Sequence, residues 1–166
     1  KGEKVIESDE EIKKKDKPLI SVSTHIDAKY VSDGELKIAI HKKINEVSSY
    51  DSFCHVKEEL EDRFGKLNEN VIIYMYEEWF EKLAKGLGVT EVVDGKNSVD
   101  ITLPQEISSQ IDGEELFNES YNISRMFRFN YKNGCIHVIL DKIKLDKHYL
   151  MYLIDILIKI SDMIDR

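Results

Sequence analysis

The apolar positions of this chain first alternate, then recur at helical spacing, then alternate again, and the changes of period lay out its elements. Leu19 to Ile26 alternates, with Ile20 and Val22 separated by Ser and Thr, and reads as a short strand at a sheet edge. Leu36, Ile40, Ile44 and Val47 then define the stripe of a helix over about 34–48, with Ser32 or Asp33 placed to cap it. A second helix over 52–64 carries Phe53, Val56, Leu60 and Phe64. Ser49 or Asp51 is its cap, and Gly65 ends it where a left-handed residue is cheap. Asn68 caps a third helix, about 69–86, with Glu69 at the positive end of its dipole. Val71, Ile72, Ile73, Met75, Trp79, Phe80 and Leu83 cannot share one stripe, so this helix is expected at the centre, with the others packed on it.

Beyond Gly88 the period drops to two. Val89–Val93 and Ser98–Leu103 flank Asp94-Gly95-Lys96-Asn97 as a hairpin. Pro104 opens a helix over about 104–112, where its missing N–H is harmless, and a short helix over 113–120 follows. Ile123–Tyr131 and Cys135–Leu140 surround Lys132-Asn133-Gly134, and Asn-Gly between alternating runs is a strong hairpin signal. A last helix over 147–164, capped by Asp146, carries Leu150, Leu153, Ile154, Leu157, Ile158 and Ile160. The order predicts an α+β fold: an antiparallel sheet built from hairpins, with several helices packed on it.

At 166 residues with 42% hydrophobic content, the chain supports one core and one domain over 19–166. Residues 1–18 alternate acidic and basic blocks with little apolar content, and read as a linker or arm. The formal net charge of -8 argues against duplex DNA, whose binding depends on neutralising phosphates. Lys13-Lys14-Lys15 and Lys42-Lys43 are the candidate basic patches, and both read more simply as solvated flank and helix face. Two cysteines, Cys54 and Cys135, make no disulfide framework and point to a reducing cytoplasm. The start is charged, without a signal pattern, and begins at Lys1, as an excised piece of a longer protein would. The apolar run 149–160 is interrupted by Asp155 and Lys159 and is too short to span a bilayer.

No catalytic constellation assembles. Asp94-Gly95-Lys96-Asn97-Ser98 has a Gly-Lys, but it lacks the upstream glycine of a phosphate loop and sits in a hairpin. No Cys-x-x-Cys, His-Glu-x-x-His or Gly-x-Ser-x-Gly occurs, so neither a metal site nor a cofactor is expected. Cys54 with a distant His, or one of the carboxylate pairs, is the basis of an alternative reading as a small enzyme. Tyr74, Tyr76, Trp79 and Phe80 with the Lys13–Lys17 arm are the basis of another, a nucleic-acid-binding module. Core packing is the simpler explanation of those aromatics.

Glu59-Leu60-Glu61-Asp62-Arg63-Phe64-Gly65 closes the second helix. Before it stand Tyr30-Val31-Ser32-Asp33 and His41-Lys42-Lys43-Ile44, and after it Trp79, Lys82, Leu83 and Gly88-Val89. Together these resemble the C-terminal domain of the bacterial transcription-repair coupling factor, most sharply from Tyr30 to Val89. Two departures, Ser32 and Asn68 where that family has proline, fall at helix starts and are good caps. The resemblance implies a parent that is an ATP-driven DNA translocase, displaces stalled RNA polymerase and recruits UvrA for nucleotide excision repair. It implies for this chain a non-catalytic, autoinhibitory role: masking the UvrA-binding module of the same protein, without direct contact with nucleic acid or membrane. Glu58, Glu59, Asp62 and Arg63 face away from the apolar stripe and are the implied interface residues, with Glu59 the leading one.

Overall fold

The computed structural model describes residues 33–164; the strand expected over Leu19–Ile26 and the arm over 1–18 lie outside them. The described residues form α1 (Gly34–Ile44), α2 (Tyr50–Phe64), α3 (Glu69–Gly86), β1 (Glu91–Asp94), β2 (Ser98–Thr102), α4 (Gln105–Ser108), α5 (Gly113–Ile123), β3 (Phe127–Lys132), β4 (Cys135–Asp141) and α6 (Tyr149–Ile164). The strands make one antiparallel sheet in the order β1-β2-β4-β3. The fold class is therefore α+β, as the change of period implies.

One face of the sheet carries Val99, Ile101, Ile136, Val138 and Leu140, all buried, and the helices cover it. Trp79, Phe80 and Met75 of α3 are fully enclosed, as are Leu150, Leu153 and Ile154 of α6, and α3 packs along α6. The helix expected at the centre is central. Its aromatics are core: Phe53 of α2 stacks on Trp79 with ring centroids 5.3 Å apart and on Tyr76 at 5.1 Å. Burial of a side chain of this size contributes about 2–3 kcal/mol, and these rings are not available as a base-stacking platform.

The caps show why the helices begin where they do. Asp33 accepts from the Glu35 N–H at 2.9 Å, Asn68 from Val71 at 2.9 Å, and Ser49 and Ser52 form a reciprocal capping box. Gly65 terminates α2 with φ 84°, a conformation that a side chain resists.

Four boundaries differ from the sequence reading. α1 stops at Ile44 instead of 48, because the Lys82 ammonium of α3 donates to the carbonyls of Asn45 (2.7 Å) and Val47 (2.5 Å) and closes the helix end. α4 is a single turn ending at Ser108, whose hydroxyl is committed to Leu103 and to the Ile136 N–H. Ile123 belongs to α5, not to a strand: Asp112 caps that helix, buried Leu116 and Ser120 with half-buried Ile123 define its inward side, and it packs on α6. Asp146 does not cap the last helix. His148 does, its Nδ1 accepting from the Leu150 N–H at 3.2 Å.

Candidate functional site

α2 is amphipathic, with Phe53, Val56 and Leu60 buried against the core. The outward side presents Asp51, Cys54, His55, Glu58, Glu59, Asp62 and Arg63, all exposed. The four implied interface residues thus share a solvent-facing side, but the structure gives them different partners. The Glu59 carboxylate meets the Lys43 ammonium of α1 at 2.7 Å, and Lys43 also lies 3.6 Å from Glu46. The hydrogen bond from Lys43 holds the Glu59 carboxyl below the usual carboxylate range, and Glu59 in turn raises Lys43. Arg63 lies over the Phe64 ring, 5.1 Å from its centroid. Glu58 and Asp62 have no ion-pair partner among the described residues and face solvent. Glu61, one residue earlier, ties the helix end instead: it pairs with Lys57 at 3.7 Å and accepts from the Leu67 N–H at 3.2 Å.

Lys43 is the residue that sequence reasoning missed. It stood in the Lys42-Lys43 pair assigned to a solvated helix face. Nothing local in the sequence marks it, because its partner comes from the next helix. His41, two residues earlier, bonds at both ring nitrogens, to Tyr74 Oη at 2.8 Å and to Glu78 at 3.2 Å, and so joins α1 to α3.

The remaining polar clusters bear on the enzyme reading. On the open face of the sheet, His137 Nδ1 lies 3.0 Å from Asp100 and 3.3 Å from Thr102. Carboxylate and hydroxyl meet the same ring nitrogen, so the imidazole cannot relay a proton from one to the other through its two nitrogens, as a triad requires. Asp94 is nearly enclosed; it binds the Lys142 ammonium and accepts from Tyr149 Oη at 3.3 Å. Lys142 also donates to the Gly95 carbonyl at 2.9 Å and sits 4.3 Å from the Tyr149 ring centroid. Burial pushes the Tyr149 hydroxyl well above its ordinary value and pushes the His148 imidazole down. Every contact here is internal and fastens the β1–β2 turn to the start of α6. No group of three or more His, Cys, Asp or Glu suited to a metal ion occurs among the described residues. No described helix is long and apolar enough to cross a membrane.

Comparison with known proteins supplies what the side chains alone do not. The family model of the TRCF domain matches residues 20–114. A transcription-repair-coupling factor of Staphylococcus epidermidis is 31% identical over 133 residues, 78% of this chain and 11% of that protein. One from Staphylococcus haemolyticus is 28% identical over 127 residues, 75% of this chain and again 11% of the relative. The chain thus spans about a tenth of the length of these relatives. A crystal structure of the C-terminal domain of transcription-repair coupling factor superposes with a TM-score of 0.65, covering 84% of this chain and 86% of that one at 20% identity. That likeness speaks for the fold. With the TRCF model matching more than half of its length, the chain belongs to the transcription-repair coupling factor family.

Proposed function

We propose that this chain is a non-catalytic regulatory domain that masks the UvrA-binding module of its own parent protein until the parent, an ATP-driven DNA translocase, engages stalled RNA polymerase. The observation that carries this reading is the outward side of α2. Glu58 and Asp62 stand free of ion pairs among the described residues, beside a Glu59 held charged by Lys43. Family membership supplies the context of repair and transcription. Masking a site a hundredfold requires about 2.7 kcal/mol of differential stability, more than any single exposed ion pair delivers. The mask is therefore a patch in which Glu58, Glu59 and Asp62 face arginines or lysines of the module, with Arg63 beside them on the same exposed side. A latch of this size opens when a competing contact of similar strength becomes available.

The test is made in the full parent protein. Glu58→Lys with Asp62→Lys reverses the patch without touching the core. UvrA capture in the absence of RNA polymerase should rise severalfold. Unchanged capture, with a folded variant, would remove the reading.

A further inference from the structure

A second surface lies at the opposite end of the sheet order from β1, and the masking role makes no use of it. β3 is an edge strand, with β4 on one side and no strand on the other among the described residues. Its phase is fixed: the Met126 carbonyl accepts from the Asp141 N–H of β4 at 3.1 Å. Backbone groups of successive residues point to opposite sides of a strand, so Arg128, Asn130 and Lys132 bond to β4. Phe127, Phe129 and Tyr131 therefore turn their N–H and C=O groups to the free edge. Natural sheets usually shorten, bulge or cover such an edge. This one runs six regular residues.

The edge borders an apolar groove. It runs in two sections that share Phe129 and Asn130: Gly113 and Leu116 of α5 face Tyr131 in one, and Phe117 of α5 lies beside Phe127 and Arg128 in the other. Phe117, Tyr121 and Tyr131 are 58%, 52% and 69% exposed, high for aromatic rings. On the open face of the sheet the same strand presents Arg128, Asn130 and Lys132, opposite Ile139, His137 and Cys135. The charge pattern around it is unlike the rest of the chain. From Ser120 to Leu140 there is no Asp or Glu, the longest acid-free run in a chain of net charge -8. That run carries Arg125, Arg128 and Lys132, and none has a carboxylate partner among the described residues; Arg125 lies 5.3 Å over the Tyr121 ring.

We infer that the β3 edge takes up an extended acidic peptide segment of a partner protein as an added strand. Backbone groups of Phe127, Phe129 and Tyr131 would bond the segment, and its alternate apolar side chains would enter the groove beside Phe117. Its other side chains would fall beside Arg128 and Lys132, which selects Asp and Glu. The recognised pattern is apolar–acidic alternation. A nucleic acid fits less well: it leaves the row of backbone groups unpaired, and three cations in an acidic chain give few phosphate contacts.

The experiment uses the whole chain and a labelled peptide of about eight residues alternating Val with Glu. Binding is followed by fluorescence anisotropy, and the amides of Phe127, Phe129 and Tyr131 by hydrogen exchange. The expected result is saturable binding that slows exchange at those three amides. A Val–Lys peptide, or one with Pro at the bonding positions, should bind at least about tenfold more weakly. Arg128→Glu with Lys132→Glu, both exposed and outside the core, should weaken binding by about the same factor. Equal binding of the Val–Glu and Val–Lys peptides, or no effect of the double reversal, would overturn the inference. So would slow exchange at the three amides before any peptide is added, which would mean the chain or a second copy already fills the edge. Protection by a single-stranded oligonucleotide in place of the peptide would overturn it as well. None of these outcomes bears on masking by α2.

Discussion

Lys43 of α1 and Glu59 of α2 meet at 2.7 Å on the surface of the domain, each at the outward side of its helix. This contact gives the leading interface residue an internal competitor. An arginine on a docking module must share Glu59 with Lys43 or displace it. Removing Lys43 should therefore tighten docking, whereas removing Glu59 should weaken it. Both side chains are solvated, so neither Lys43→Ala nor Glu59→Ala should move the thermal midpoint of the isolated chain appreciably. Paired melting curves and binding titrations of the two variants check this. If Glu59→Ala melts the domain, Glu59 is structural and its interface role fails.

Asp94 and Lys142 form the opposite kind of pair. The Asp94 side chain is only 2% exposed and Lys142 16%, so the loss of one partner strands a charge in a nearly dry site. Lys142→Ala should cost about 3–5 kcal/mol in urea unfolding, far more than any charge deletion on α2. Replacing both residues with apolar ones of similar volume should recover much of that loss.

Lys82 acts at a distance in sequence, donating to carbonyls just past the end of α1 from the C-terminal part of α3. Burial lowers its pKa, yet the carbonyl cradle favours the ammonium. Lys82→Met keeps the aliphatic stem and removes the donor. The expected loss is about 1–3 kcal/mol, with faster amide exchange at Glu46 and Val47.

His148 should give the domain a pH dependence of known sign. Burial, helped by nearby Lys142, lowers its folded-state pKa below the ordinary value of 6.5. The unfolded chain therefore takes up the proton first. The stabilising contribution is complete above the ordinary value and is lost as pH falls through the folded one. Geometry agrees, because Nδ1 must be unprotonated to accept from the Leu150 N–H. His148→Asn keeps a capping acceptor but does not titrate. Urea unfolding between neutral pH and about pH 5 should show a smaller stability loss in the variant than in the parent sequence.

Legibility in the sequence followed the range of the interactions. Caps and turns are local: Asn68, Gly65 and Asn133-Gly134 were readable from neighbouring residues, and Asp33 and Ser49 were each one of two nearby candidates. The central place of α3 was readable because its apolar residues go most of the way round. The end of α1 was not, since Lys82 sets it from 35 or more residues away. The α5 boundary misled because Ile123–Tyr131 alternates well enough for a strand, while packing on α6 keeps Ile123 helical. At the candidate site, the exposed side of α2 followed from periodicity alone. The partner of Glu59 did not, because Lys43 reaches it only through the packing of two helices.

The most direct measurement is a titration of this chain against the isolated UvrA-binding module of its parent, at rising salt and then with UvrA as competitor. The expected result is saturable binding that weakens with salt and excludes UvrA. Simultaneous binding of UvrA and this chain to the module would contradict it.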